Sequence, residues 1–305
     1  MLELIPITRS LTLVQGLNRG RFPYANALLV QDGGVTALVD TGCGQPVIEA
    51  LIDRFGIDFV ICTHSHTDHT SGNWLLAGRP IWMPAGVGFE TGGSAALLAR
   101  RFIADETLHD LWLATTVPAT GFRDAPLTDA FPAGFVFEIG RVRLHAIPAP
   151  GHLADHTCFW EPEEGVLLAT DIDFSRFGPW YGNPESDIEA FERSIARVRA
   201  LQPKVVLSSH KGVYEGQAIE EAFDAFTAHF AMRDARILDA LESPRSVDDL
   251  AGLALIYGQF PRHAPLLRYF EREMIAKHLA RLAAQGRVVE QAPGLWRRAG
   301  RVQGE

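Results

Sequence analysis

The sequence predicts an α/β chain, with a larger body over residues 1–230 and a smaller, mainly helical region over residues 231–305. Three observations carry this expectation. Apolar runs of strand length alternate with amphipathic runs of helix length through the first part. A tight group of metal-ligating side chains, Thr63-His64-Ser65-His66-Thr67-Asp68-His69, follows directly on one such strand. From about residue 232, helical segments succeed one another and strands return only at the end. A length of 305 residues suits one large domain with a small appendage.

Leu2 to Ile7 and Leu11 to Val14 read as short strands. Asn26 to Gln31 and Val35 to Asp40 flank Asp32-Gly33-Gly34, a hairpin signal. Gln45 to Phe55 reads as a helix with Pro46 near its start. The run Asp58 to Cys62 leads as a strand into the histidine motif. An extended segment there places His64 and His66 on one face. After the turn, Asp68 and His69 face a second point. Neutral imidazole and carboxylate are ligands that Zn²⁺ and similar ions take, and the spacing suggests two adjacent metals.

Pro80 to Met83 is expected as a strand. Residues 84–133 are weakly patterned, with helices at Ser94 to Arg101 and Asp105 to Thr115 and a loop over Thr120 to Pro132. The second helix is expected to end before Val117-Pro118. An insertion of this kind serves as a substrate wall, a dimer contact or a plain surface excursion. Phe135 to Ile139 and Val142 to Ile147 pair as strands and lead to Gly151-His152-Leu153-Ala154-Asp155-His156. Gly151 permits the tight turn that presents His152. Asp155 and His156 suit either groups behind metal ligands or ordinary strand-end positions.

Thr157 to Trp160 and Val166 to Ala169 are strands, the second delivering Asp171. Beyond it, Phe174, Phe177, Trp180 and Tyr181 cluster on a Gly- and Pro-containing loop. Such aromatics form an apolar substrate pocket or a small cluster packed under the loop. Ser186 to Leu201 is an amphipathic helix capped by Ser186 or Asp187, and Lys204 to Leu207 is the strand before His210. Glu215 to Leu241 reads as a long helix, with a break allowed near Arg233. The tail continues through helices to a terminal hairpin at Gly286 to Glu290 and Leu295 to Arg297. His109, His229, His263 and His278 read as structural or surface residues. Cys43, Cys62 and Cys158 are odd in number and widely spaced, which argues against a disulfide framework and for a reducing cytoplasm. Cys43 reads as a packed residue rather than a ligand.

The motif, placed after Val39-Asp40-Thr41-Gly42 and a helix, resembles the metallo-β-lactamase superfamily. Its hydrolase branch carries Thr-His-x-His-x-Asp-His, then a Gly-His, an Asp and a last His, matched here by Gly151-His152, Asp171 and His210. The resemblance covers residues 1 to 225 and implies a four-layer αββα sandwich. It implies one metal on His64, His66 and His152, a second on Asp68, His69 and His210, and Asp171 bridging the two. The bridging Asp usually follows Gly and here follows Thr170; the last His here sits in Ser208-Ser209-His210-Lys211-Gly212. Lactone hydrolases of the superfamily use a Tyr shortly after the bridging Asp, whereas here Phe174 occupies that neighbourhood and the first phenol is Tyr181. The oxygen-reducing diiron branch has Glu where His66 stands. The tail resembles a winged helix, and with Gly151-His152-x-x-Asp155-His156 it brings the chain near the glyoxalase II and lactamase-β-like groups.

With 47% hydrophobic and 21% charged residues, the composition is that of an ordinary globular protein. The start, Met1 to Pro6, lacks the pattern of a signal peptide, and no apolar run reaches membrane-spanning length. The formal charge is −9; from Ala231 onward 12 Lys/Arg stand against 9 Asp/Glu, leaving 16 against 28 before it. An acidic catalytic part disfavours a polyanionic substrate. The expectation is a dinuclear hydrolase with two divalent ions, zinc by default and Fe or Mn also accommodated. A hydroxide held between the metals and fixed by Asp68 attacks an ester, thioester or lactone of a small-molecule substrate. A second reading is a metal-dependent endoribonuclease acting on RNA, and a third is a non-catalytic nucleic-acid-binding protein using the winged helix. A homodimer is compatible with all three.

Overall fold

The computed structural model describes residues 2–261 and 264–299, so His263 lies outside the described residues. The chain opens with strands β1 (Leu4–Pro6), β2 (Leu11–Val14), β3 (Ala27–Asp32) and β4 (Val35–Val39), then helix α1 (Gln45–Phe55) and β5 (Phe59–Ile61). A single helical turn, α2 (Thr67–Thr70), precedes β6 (Ile81–Pro84). Helices α3 (Val87–Thr91), α4 (Ala95–Phe102) and α5 (His109–Thr120) then lead to β7 (Asp129–Phe131). These seven strands form one sheet in chain order, antiparallel from β1 to β4 and parallel from β4 to β7.

A second sheet holds β8 (Val136–Ile139), β9 (Val142–Pro148), β10 (Thr157–Glu161) and β11 (Val166–Thr170), then, after helix α6 (Ile188–Arg199), β12 (Val205–Ser208) and β13 (Val213–Glu215). Its order is β13-β12-β11-β10-β9-β8, and β11 and β12 are its parallel pair, joined through α6. Leu13, Leu28, Val30 and Val39 from the first sheet pack with Phe137, Leu144, Leu168 and Leu207 from the second. Alternation along each strand sends the other set of side chains outward. Leu29, Leu38 and Val60 there meet α1 through Ile48 and Leu51. On the far side Leu167, Ala169 and Val206 meet α6 through Phe191 and Ile195. The result is the αββα sandwich.

The tail consists of α7 (Gln217–Ala240), β14 (Arg245–Ser246), α8 (Val247–Gly252), α9 (Pro265–Ala284), β15 (Val288–Ala292) and β16 (Leu295–Arg298), its strands paired in the order β14-β16-β15. Phe223, Phe226 and Phe230 of α7 pack on the sandwich, while Ile237 and Leu238 of the same helix join Met274, Ile275 and Leu279 of α9. One continuous apolar core therefore runs from the second sheet into the tail.

Several elements depart from expectation for local reasons. The helix expected to stop before Val117 runs to Thr120, because Pro118 lies in its last turn and Gly121, at φ 73°, donates to the Val117 carbonyl and closes it. The expected loop before Pro132 contains β7, a three-residue edge strand too short to show alternation. Helix α7 is unbroken at Arg233, which is buried and gives its donors to the loop carbonyls of Phe177 and Pro179. Among the described helices, none is long and apolar enough to cross a membrane.

Candidate metal centre

The site forms where strands of both sheets end on one edge. His64 and His66 lie on the extended segment after β5, and Asp68 and His69 in α2. His152 follows β9, Asp171 follows β11, and His210 follows β12. Two close backbone approaches make this convergence possible. A Cβ on Gly42 would overlap the Asp68 carbonyl, and one on Gly151, at φ 130°, would overlap the backbone of Phe191.

Two groups of ligand atoms result, His64, His66, His152 and Asp171 in one and Asp68, His69 and His210 in the other, each with its atoms within 4.8 Å of one another. His66 Nδ1 lies 3.2 Å from His64 Nε2 and 2.8 Å from His152 Nε2. Asp171 joins the groups through different oxygens. Its Oδ2 is 3.0 Å from His152 Nε2, while its Oδ1 is 3.0 Å from His69 Nε2 and 3.4 Å from His210 Nε2. Asp68 Oδ2 stands 3.6 Å from His210 Nε2.

The remaining ring nitrogens are each held from behind. His64 Nδ1 meets Thr63 Oγ1 at 2.9 Å, and Thr63 Oγ1 donates to Asp40 Oδ2. Asp40 Oδ2 also accepts from His69 Nδ1 at 2.8 Å. His66 Nε2 meets Asn183 Oδ1 at 2.8 Å, His152 Nδ1 meets the Trp180 carbonyl at 2.8 Å, and His210 Nδ1 meets the Gly20 carbonyl at 2.7 Å. Such partners fix each tautomer so that the inward nitrogen carries a lone pair. The buried atoms His69 Nε2 and Asp171 Oδ1 have no hydrogen bond of acceptable geometry, as expected of atoms aimed at a cation. The donor set, imidazole nitrogens with two carboxylates, fits a pair of divalent ions.

Charge divides the site. For the chain alone, burial and the facing imidazoles hold His64 and His66 well below the ordinary histidine range. Burial also opposes charge on His69, but Asp171 and Asp40 outweigh it and hold that imidazole well above the range. His210 is likewise pushed up to about 9, with Asp171 and Asp68 overcoming burial. Burial raises the Asp68 carboxyl. Asp171 lies well below the usual range because His69, His152 and His210 overcome its burial.

A cavity of about 430 Å³ opens over both groups, with His66, Asp68, His152, Asp171 and His210 at its floor. Phe102, Trp112, Phe177, Trp180, Tyr257 and Phe270 supply aromatic walls, and Arg21 and Lys211 stand at exposed positions on its lining. Of the loop aromatics expected at a pocket, Phe177 and Trp180 line this cavity. Phe174 and Tyr181 require correction: Phe174 packs edge-on against Tyr214 and Phe223, and Tyr181 is fully buried, its hydroxyl 2.7 Å from His278 Nε2. Tyr181 sits on the core side of the loop with its hydroxyl bonded to Arg233 and His278, and Phe174 sits there among the rings of Tyr214, Phe223 and Phe226.

The sequence reading missed Asp40, Asn183 and Arg101 as supports of the site. Asp40 lay in a motif already quoted, but a buried carboxylate two elements away from its partner has no spacing signal. Arg101 belongs to the weakly patterned insertion, where it binds Ser65, Asp155 and Glu185. His156 stands behind the site, its Nδ1 donating to the Ala149 carbonyl, and burial holds it down at about 4. Cys43 is a packed core residue whose thiol burial pushes up to about 12.

The family model of the metallo-beta-lactamase superfamily matches residues 20–210. The chain is similar to the lactamase-like protein aptB of Emericella nidulans, 27% identical over 79% of this chain and 68% of that one. It is 25% identical to an atrochrysone carboxyl ACP thioesterase of Passalora fulva, over 92% of this chain and 78% of the other. Among solved structures, a metallo-beta-lactamase family protein from Thermus thermophilus superposes with a TM-score of 0.73 and 25% identity, covering 96% of this chain and all of that one.

Proposed function

Because this chain belongs to the metallo-β-lactamase superfamily, we propose that it is a dinuclear metal-dependent hydrolase of acyl thioesters or related esters. The observation that carries the reading is the split of the Asp171 carboxylate between two imidazole groups at the floor of an aromatic cavity. His64, His66 and His152 would hold one ion, Asp68, His69 and His210 the other, and Asp171 both. Divalent ions bound there, zinc by default, supply a hydroxide nucleophile at neutral pH and Lewis acidity toward a carbonyl.

The chain's own residues supply the rest. Asp68, at the cavity floor, would take the proton given up as bound water becomes hydroxide and return it to the departing sulfur or oxygen. The fixed carbonyls and carboxylates behind each imidazole hold the ligands in place through the reaction. Phe177 and Trp180 keep water from the acyl side of the cavity. A relative named as a thioesterase and the acidic catalytic part both favour an acyl substrate over a nucleic acid.

The test is hydrolysis of an acyl thioester and ester panel by protein loaded with zinc, iron or manganese, with Asp171→Ala beside it. Turnover that disappears in the variant is expected; turnover that survives both the variant and chelation would sink the reading. One observation favours RNA cleavage as a second reading. The tail's order of helix, strand, helix, helix and hairpin fits a winged helix. Cleavage of labelled single-stranded RNA, lost in Asp171→Ala, would select it.

A further inference from the structure

The cavity is not built by the sandwich alone. Tyr257, Leu267 and Phe270, all from the tail, line it beside the imidazoles. Trp180 Nε1 donates to Tyr257 Oη at 2.9 Å, and the Trp180 and Phe270 rings meet edge to face at 5.2 Å. The Phe177 ring lies 5.1 Å from that of Tyr257. Behind this layer Arg233 of α7 binds the Phe177 and Pro179 carbonyls and Tyr181 Oη. Tyr181 meets His278 of α9, whose Nδ1 is 2.6 Å from Asp234 Oδ1. On the opposite side, Tyr269 Oη accepts from the Ala104 amide at 2.8 Å, fastening α9 to the insertion that supplies Phe102 and Trp112.

We propose that the tail is the specificity wall of the active site, and that Leu267 and Phe270, backed by Tyr257, select flat, ring-bearing apolar acyl groups over short aliphatic ones. Aromatic faces and edges on several sides of a cavity of about 430 Å³ suit a planar apolar group, which buries its area there without stranding polar atoms. Arg233 and the Tyr181–His278–Asp234 chain give the wall a fully bonded backing, so its shape is set before a ligand enters. A module free to bind nucleic acid elsewhere needs none of these contacts.

The word acyl rests on the hydrolase reading; the pocket's preference does not. The experiment therefore pairs binding with turnover on the full-length protein. Calorimetry compares acetate, benzoate and 2-naphthoate as probes, and kcat/KM compares acetyl with benzoyl thioesters. In the wild type, 2-naphthoate is expected to bind at least about tenfold more tightly than acetate, the scale set by a few buried carbons. Phe270→Ala should erase most of that preference with acetate unchanged. Leu267→Phe, which fills the pocket instead of emptying it, should exclude 2-naphthoate while sparing acetate. Equal binding of all three probes by wild type, or an unchanged preference in folded Phe270→Ala and Leu267→Phe, would overturn the proposal. Ring-selective binding with no hydrolysis of any thioester or ester would leave the wall standing and remove the hydrolase reading instead.

Discussion

Arg101 donates from Nη1 to Ser65 Oγ at 2.6 Å, in the one-residue gap between His64 and His66. The same guanidinium binds Asp155, three residues after His152, and Glu185, two residues after Asn183. A single buried cation thus ties together three loops that present imidazoles or their partners. Its side chain is 5% exposed, and that of Asp155 is fully buried. Arg101→Met leaves a buried carboxylate unpaired and should destabilise the fold by about 3–5 kcal/mol. Arg101→Lys retains charge but loses the planar fork, so it should recover part of that loss. Urea denaturation of both variants checks the order.

Asn183 is held on both sides, its Oδ1 toward His66 Nε2 and its Nδ2 donating to the Phe102 carbonyl at 3.1 Å. Removing the amide frees the His66 ring to rotate and to change tautomer. Asn183→Ala should weaken metal binding by about 10–100-fold, with the fold largely kept. Competition against a chelator of known affinity measures it. An unchanged affinity would show that packing alone orients His66.

The strand–helix frame and the group from His64 to His69 were legible in the sequence because both depend on local spacing, whereas His152, Asp171 and His210 came from the resemblance to the metallo-β-lactamase superfamily. His64, His66, Asp68 and His69 fall within six residues, and His152, Asp171 and His210 each follow a readable apolar strand. What stood behind them was not legible. Asp40 reaches His69 across 29 positions, Asn183 reaches His66 across 117, and Arg101 reaches Glu185 across 84. No periodicity encodes such pairs. The loop aromatics were half legible. Composition announced a cluster, but which rings face the cavity depends on the tail, since Arg233 and His278 draw Tyr181 inward.

The two halves of the site should respond to pH in opposite senses in protein stripped with EDTA. His210 is raised from 6.5 to about 9, and His69 is also raised, so the folded chain binds more protons than the unfolded one across that interval. The His210 contribution is complete below pH 6.5 and is lost as pH rises through about 9, and His69 acts in the same direction. His64 and His66 are depressed, so they favour the fold above pH 6.5 and cease to do so as pH falls below it. Thermal melts of stripped protein should therefore show declining stability from pH 6.5 toward 9, with His210→Gln flattening that decline. Divalent metal should remove the alkaline loss, because it takes the place of the protons and releases them on binding.

Thr170 occupies the position of the glycine expected before Asp171, and it does so in the left-handed region at φ 52°. A β-branched residue there is strained, at roughly 1–2 kcal/mol. The hydroxyl offers a compensation that glycine lacks. His156 Nδ1 already donates to the Ala149 carbonyl, so its Nε2 accepts, and Thr170 Oγ1 donates to it. A buried hydrogen bond of this kind contributes about 1 kcal/mol net. Thr170→Gly removes strain and bond together and should leave stability within about 1 kcal/mol of wild type. Thr170→Val keeps the strain and leaves His156 Nε2 only the 3.3 Å bond from the Asp171 amide, at about 1 kcal/mol. Chemical denaturation of the two variants should rank glycine clearly above valine. The reverse order would mean that side-chain volume at position 170, rather than its hydroxyl, holds Asp171 in place.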